Sequence, residues 1–235
     1  MASGEWPVDA DRAHLIASGK DADVFLRADG LLVKRSRAGA PAEPEAELLR
    51  YLGRFDVPVP RVVRAEGSEL VMDYVAGPTM AAELSAHPWR AAGLGRALAR
   101  LHRQLDRVPA PPWLRRLGEG RRGGDRLLHL DLHPGNVLLG PAGPVVVDWA
   151  NAARGERGVD VALSWLVLAA ARLRPRHRPA RWTLLHTFLA RFDRAAVRAA
   201  LPAAAEVRLS SPDRDPAERA SVARLLERMG ERVAG

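Results

Sequence analysis

The sequence contains no cysteine. That excludes disulfides, thiolate metal sites and cysteine nucleophiles together, and it suits a reducing, cytoplasmic setting. Lysine is almost absent too, occurring only at Lys20 and Lys34, so arginine carries nearly all of the +8 formal charge. A bias toward arginine makes each retained lysine informative. No apolar run is long enough to span a bilayer, which takes about 20 residues. The most apolar stretch, 159–171, reads as a buried helix. The first ten residues carry Glu5, Pro7 and Asp9 without an apolar core, which does not fit a signal peptide. Acids are scarce in one region: between Val161 and Ser210 only Asp193 and Glu206 occur, among nine arginines.

What is present is an ordinary globular balance over 235 residues, 47% hydrophobic and 27% charged. High Ala, Arg, Gly and Pro together fit a compositional bias, and the arginines are scattered rather than grouped in a nucleic-acid-binding module. A solvated basic surface is therefore the better reading of the pI near 11.0.

The pattern of residues gives the organisation. His14–Ala17, Asp23–Arg27 and Leu31–Arg35 read as strands, the last two joined by a tight Asp29-Gly30 turn. Pro41 and Pro44 open a helix over Glu45–Leu52, since proline suits a first helical turn. Strands over Val62–Glu66 and Leu70–Tyr74 follow. After Gly77-Pro78 the sequence turns helical: Thr79–Ser85, Trp89–Leu105, and later segments from Val159, Arg181 and Pro216. Residues 118–124 read as a plain glycine-rich surface connection. The tryptophans at 89, 113, 165 and 182 are expected in the core. The predicted architecture is α+β, with a lobe at 1–76, a second at 77–235 and a cleft between them.

Chemistry concentrates in LHLDLHPGNVLLGPAGPVVVD, residues 128–148. Val137–Leu139 and Val145–Val147 read as a hairpin around a breaker-rich turn. A symmetric turn pairs Leu138 with Val146 and sets Asn136 opposite Asp148. A carbonyl oxygen and a carboxylate would then converge, as magnesium requires. Asp131, just before the hairpin, is placed to orient a hydroxyl and accept its proton. His129 is better placed to brace the loop than to react. His129 and His133 do not suggest a zinc site, because the zincin pattern and cysteine are both missing.

His129-x-Asp131 with Asn136, an apolar strand, Asp148 and then WANAARGERGVDVA resembles the aminoglycoside phosphotransferase branch of the kinase-like phosphotransferases. The resemblance runs from about Leu15 to Leu173. It implies a protein-kinase-like two-lobe fold: an N-lobe antiparallel sheet with one main helix, then a mostly helical C-lobe with a catalytic β-hairpin. It implies ATP, or GTP, with Mg²⁺, and a small-molecule hydroxyl acceptor. By the same resemblance Asp131 is the catalytic base or the hydroxyl-orienting group, Asn136 and Asp148 hold magnesium, and His129 and Asp160 support the loop. Lys34 contacts phosphates and pairs with Glu45, or with Glu47. The backbone of Ser18, Gly19 and Lys20 covers the phosphates, and the connector Asp73, Tyr74 and Val75 meets the adenine edge. Leu130, where protein kinases usually have Arg, and Trp149-Ala150, in place of Phe-Gly, mark a small-molecule kinase without an activation loop. The scarcity of acids over 161–210 disfavours a polycationic acceptor and suggests a neutral or anionic one. Two other classes compete: a catalytically silent pseudokinase that binds nucleotide or a partner, and a basic nucleic-acid-binding protein.

Overall fold

The computed structural model describes residues 13–117, 124–171, 174–210 and 216–233. The N-terminal ten residues and most of the glycine-rich connection at 118–124 lie outside them. The chain divides into two compact units, Met1–Ala76 and Gly77–Gly235.

The first unit is an antiparallel sheet with a helix. Its strands are β1 (His14–Ser18), β2 (Ala22–Leu26), β3 (Leu31–Ser36), β4 (Val62–Glu66) and β5 (Glu69–Asp73), in the order β1-β2-β3-β5-β4. Helix α1 (Glu43–Leu52) lies between β3 and β4 in sequence, with Pro44 in its first turn. One α1 face, Ala46, Leu48, Leu49 and Leu52, is buried together with Val33, Leu70 and Val71 of the sheet. Those residues recur at helical spacing on α1, which is why this segment helps close the core of the unit.

The second unit is mainly helical. Its helices are α2 (Met80–Ala86), α3 (Ala91–Leu105), α4 (Arg157–Ala170), α5 (Arg178–Leu189), α6 (Arg194–Ala199), α7 (Leu201–Leu209) and α8 (Pro216–Val233). Thr79 caps α2 by accepting from Ala82 N at 3.0 Å. Two small ribbons complete the unit: β6 (Arg126–Leu128) with β9 (Ala153–Gly155), and β7 (Val137–Gly140) with β8 (Gly143–Val146). The core gathers Leu94, Leu98 and Leu101 of α3, Leu163 and Leu166 of α4, and Leu184 and Phe188 of α5. Alpha-helices α6 and α7, and the ribbon β6–β9, are additions to the elements expected from sequence.

Two expectations are corrected. Trp89, Trp113 and Trp182 are 76%, 44% and 52% exposed, so they do not pack in the core. Trp89 lies in a short 3-10 turn ahead of α3, and Trp182 spreads under the Arg181 guanidinium. Among the described residues the fully buried tryptophan is Trp149.

The second correction is the register of the hairpin. Val137 pairs with Val146 and Leu138 with Val145. The connection is the two residues Pro141-Ala142 between paired Gly140 and Gly143. A five-residue turn centred on Ala142 would have given the expected pairing, but the shorter loop moves every pair by one. Gly143 makes that loop possible with a φ of +126°, a value side chains disfavour.

Candidate active site

In the second unit the loop between β6 and β7 is built on buried polar groups. His129 is fully buried, its ring against Trp149 with centroids 4.5 Å apart. Its Nε2 donates to Val147 O at 3.1 Å, and its Nδ1 accepts from Asp131 N at 3.3 Å. Those two bonds specify one neutral tautomer. Burial lowers the His129 pKa to about 4, against a smaller raising effect from the Val147 carbonyl. The ring is a strut and carries no charge at neutral pH.

Asp160 lies in the first turn of α4, whose N-cap is Glu156. Its carboxylate accepts from Leu130 N at 2.7 Å and from His129 N at 3.3 Å. Leu130 itself has a φ of 64°, a left-handed backbone that costs a non-glycine residue about 1–2 kcal/mol. The Asp160 carboxylate is the group that fixes it. Burial raises the Asp160 pKa to about 6, although the Leu130 and His129 amides pull the other way. Behind it stands His102 of α3, with Nδ1 3.7 Å from the Asp160 carboxylate and Nε2 3.0 Å from the Ser164 hydroxyl. That hydroxyl also bonds the Leu132 carbonyl. Burial lowers the His102 pKa to about 3. His102 and Ser164 escaped the sequence reading because each looks like an ordinary helix residue until Asp160 is buried beside it.

This frame presents Asp131 and Asn136. The Asn136 amide donates to the Asp131 carbonyl at 2.9 Å and to Asp131 Oδ2 at 3.2 Å. With its nitrogen so engaged, the Asn136 Oδ1 faces away from Asp131. His133 accepts from Gly135 N at 3.0 Å and caps the short turn of Pro134–Asn136. A Cβ at Gly135 would come within 2.6 Å of the His133 ring and push that ring aside. The other His133 nitrogen lies 3.6 Å from Asp131 Oδ2. A further partner was not foreseen: Arg208 of α7 donates to Asp131 Oδ1 at 2.9 Å. Burial pushes the Asp131 pKa up, but the hydrogen bond and charge of His133, followed by the charge of Arg208, outweigh it and leave it lowered.

Asp148 follows β8, is exposed and has a φ of 65°. Val147 N donates to Asn136 O at 3.0 Å, so Asn136 faces Val147 rather than Asp148. Direct cross-strand pairing of Asn136 with Asp148 is thus corrected; the left-handed turn at Asp148 governs its direction instead. A carbonyl oxygen and a carboxylate are the hard donors that magnesium takes from protein, with water and phosphate oxygens completing the shell. The oriented Asn136 Oδ1 and the exposed Asp148 carboxylate fit that demand. No cluster of three His, Asp or Glu able to hold a metal by itself occurs among the described residues.

In the first unit, Lys34 Nζ donates to both oxygens of Glu45 at 2.9 and 2.8 Å, with side chains 17% and 12% exposed. Glu47 is exposed on the same helix and Glu45 is the partner. The β1–β2 turn differs from expectation in one respect. Gly19 N donates to Ala22 O at 2.9 Å, so this amide is spent inside the turn rather than offered to a phosphate. Ser18 Oγ donates to Asp23 at 2.8 Å, and Lys20 lies at the bend. Asp73 ends β5, its N–H donating to Arg61 O at 2.9 Å and its carboxylate held by the Arg61 guanidinium. Tyr74 is exposed and Val75 half-buried in the following segment.

The chain is similar to known phosphotransferases in family and in fold. The phosphotransferase enzyme family matches residues 12–127 and 103–173. Thiamine kinase of Salmonella paratyphi B is 37% identical over 62 residues, 24% of this chain, and the match spans 23% of the length of that curated relative. Among solved structures, a thermostable mutant of aminoglycoside phosphotransferase APH(4)-Ia superposes with a TM-score of 0.65 at 13% identity, over 92% of this chain and 94% of that one. The streptomycin–ATP ternary complex of APH(2")-IIa does so with a TM-score of 0.61 at 15% identity, over 90% and 94%. These likenesses show the kinase-like fold, and the family match shows that the chain belongs to the phosphotransferase enzyme family.

Proposed function

We infer that this member of the phosphotransferase enzyme family transfers the γ-phosphoryl group of ATP to a hydroxyl of a small molecule that is neutral or anionic. The observation that carries the reading is the Asp131–Asn136 pair, bonded through the Asn136 amide and fixed from behind by Asp160. In the reaction the acceptor oxygen forms a bond to the γ-phosphorus. The bond from that phosphorus to the β-bridging oxygen breaks, ADP leaves with the electron pair, and the hydroxyl proton passes to Asp131. The lowered pKa of Asp131 keeps it ionised at neutral pH, as a hydrogen-bond acceptor. A base that weak does not remove an alcohol proton beforehand. It orients the hydroxyl and receives the proton as the new bond forms.

Asn136 and Asp148 would hold Mg²⁺, which neutralises phosphate charge when bound. Lys34, positioned by Glu45, supplies a point charge for the α- and β-phosphates. Ser18 and Lys20 belong to the turn that covers them, and the backbone of Asp73, Tyr74 and Val75 is the adenine contact. His129 and Asp160 act through the loop and touch no substrate. Residues 1–76 serve as the nucleotide-binding lobe and 77–235 as the catalytic and acceptor-binding lobe, in a cytoplasmic enzyme.

The test is a thermal shift of wild type and Asp148→Ala with ATP or GTP, with and without Mg²⁺. A ligand at 100 times its Kd adds about 2.7 kcal/mol to the native state. Magnesium-dependent stabilisation by nucleotide is expected in the wild type and lost in Asp148→Ala. No stabilisation by either nucleotide at millimolar concentration refutes the reading.

A further inference from the structure

Helix α7 buries Leu201, Ala204 and Ala205, and Arg208 is the next position on that stripe. Helical spacing calls for an apolar residue there. The arginine is instead 13% exposed at its side chain, with its guanidinium on Asp131 Oδ1 at 2.9 Å. Holding a desolvated ion pair is expensive in general, and an apolar residue at such a position is often no worse for stability. The position of this pair gives it a functional meaning.

Asp131 has two oxygens. Oδ2 accepts from the Asn136 amide at 3.2 Å, and a His133 nitrogen stands 3.6 Å from it. Oδ1 accepts from Arg208. A hydroxyl approaching the base must therefore share or take the oxygen that Arg208 holds. A guanidinium has five donors in a planar fork and engages carboxylate or phosphate through two of them. An acceptor with its own anionic group offers Arg208 such a partner while its hydroxyl moves onto Oδ1. A cationic acceptor would meet the guanidinium directly. Few acids occur in this part of the chain: between 161 and 210 they are Asp193 and Glu206, and Asp193 caps α6 through Ala195 N at 2.9 Å.

Resting on the phosphotransferase reading, we propose that Arg208 determines acceptor specificity. It binds a carboxylate or phosphate group of the acceptor, a few bonds from the hydroxyl that is phosphorylated, and passes from Asp131 to that group when the acceptor enters.

The test uses the full chain with Mg²⁺ and a non-hydrolysable ATP analogue, and follows the Nε–H resonance of Arg208, assigned by its loss in Arg208→Lys. The probes are glycerol, glycerate, glycerol phosphate and kanamycin. Glycerate or glycerol phosphate is expected to move the resonance, while glycerol and kanamycin leave it in place. The anion that acts at the lower concentration identifies carboxylate or phosphate as the recognised group. With ATP itself, kcat/KM for the anionic probe is expected to fall roughly 10- to 100-fold in Arg208→Met, the value of a charged hydrogen bond, with partial recovery in Arg208→Lys. A wild type that binds Mg²⁺ and nucleotide but whose Arg208 resonance ignores both anions overturns the inference alone. Preferred phosphorylation of glycerol or kanamycin does the same. Failure to bind nucleotide at all overturns the phosphotransferase reading beneath it.

Discussion

The sharpest prediction concerns Asp160, because two neutral replacements separate its roles. Asp160 is 4% exposed, and its carboxylate accepts from Leu130 N at 2.7 Å and His129 N at 3.3 Å. Its pKa is held up at about 6, so at pH 7 the ionised form carries a penalty of about 3 kcal/mol relative to water. Asparagine and alanine both remove that penalty, so it cancels between them. Asparagine keeps an oxygen for the Leu130 amide. Alanine leaves two buried donors without it, at about 1–3 kcal/mol for each unsatisfied group. The longer His129 contact weighs least. Asp160→Ala is therefore expected to be about 3 kcal/mol less stable than Asp160→Asn, and close to 10 °C lower in Tm for a chain of about this size.

Asp160→Asn itself should match or exceed wild type at pH 7. The sign of the pH effect follows from the raised pKa. Between the ordinary carboxylate pKa of 3.8 and about 6 the folded state binds the proton more tightly, so this group's contribution falls as pH rises through that window. The wild type should accordingly gain on Asp160→Asn as the pH drops from 7 to 5. Urea unfolding of the three proteins at the two pH values measures all of this. A gap between alanine and asparagine below about 1 kcal/mol would refute the reasoning that Asp160 holds the Leu130 amide.

His102 and His129 act oppositely to Asp160: their folded pKa values of about 3 and about 4 lie below the ordinary 6.5, so their contribution is full above 6.5 and is lost as pH falls. Two such groups outweigh one raised carboxylate, so net stability should drop on acidification from pH 6.5 to 4.5, less steeply in His102→Gln, as read from urea midpoints. Gly135→Ala should cost about 1–3 kcal/mol, because its Cβ would lie 2.6 Å from the His133 ring, and displacement of the His133 cap from the Pro134–Asn136 turn should lower turnover in the same preparation. Lys34→Ala should weaken the nucleotide-dependent thermal shift severely and Glu45→Gln moderately, since Glu45 acts on the site by holding Lys34 at 2.8 Å; equal shifts in all three proteins would remove Lys34 from the phosphate site.

Much of this was legible in the chain because local rules and spacing agree. The strands of the first unit follow from alternation and the Asp29-Gly30 turn, and α1 from its prolines and apolar stripe. Lys34 stood out because lysine is nearly absent. The register of the β7–β8 hairpin was not legible: Gly140-Pro141-Ala142-Gly143-Pro144 admits both a five-residue and a two-residue connection, and backbone hydrogen bonding selects the shorter. Arg208 was lost among neighbouring arginines in a composition rich in them. Its signal was periodic: it occupies the position after Leu201, Ala204 and Ala205 where the helix should be apolar. Apolar period broken by a charge was a better guide to the site than the count of charges.

Backbone strain brackets the proposed reaction centre. Among the described residues, the non-glycine positions with positive φ are Leu130 and Asp148, at 64° and 65°. Each such residue costs on the order of 1–2 kcal/mol, and neither has the glycine that would abolish the cost. They flank the segment that carries Asp131 and Asn136. Leu130 is held by Asp160 from α4, and Val147, between β8 and Asp148, is held by the His129 ring. The two clamps are linked, because His129 also contributes its backbone N–H to Asp160. Strain persists only where surrounding bonds over-determine it. Here a buried carboxylate and a buried neutral imidazole do so from opposite ends of one loop. The charge that Asp160 keeps in the core near neutral pH therefore costs global stability, and it sets the geometry at the oxygen where Arg208 and the hydroxyl compete.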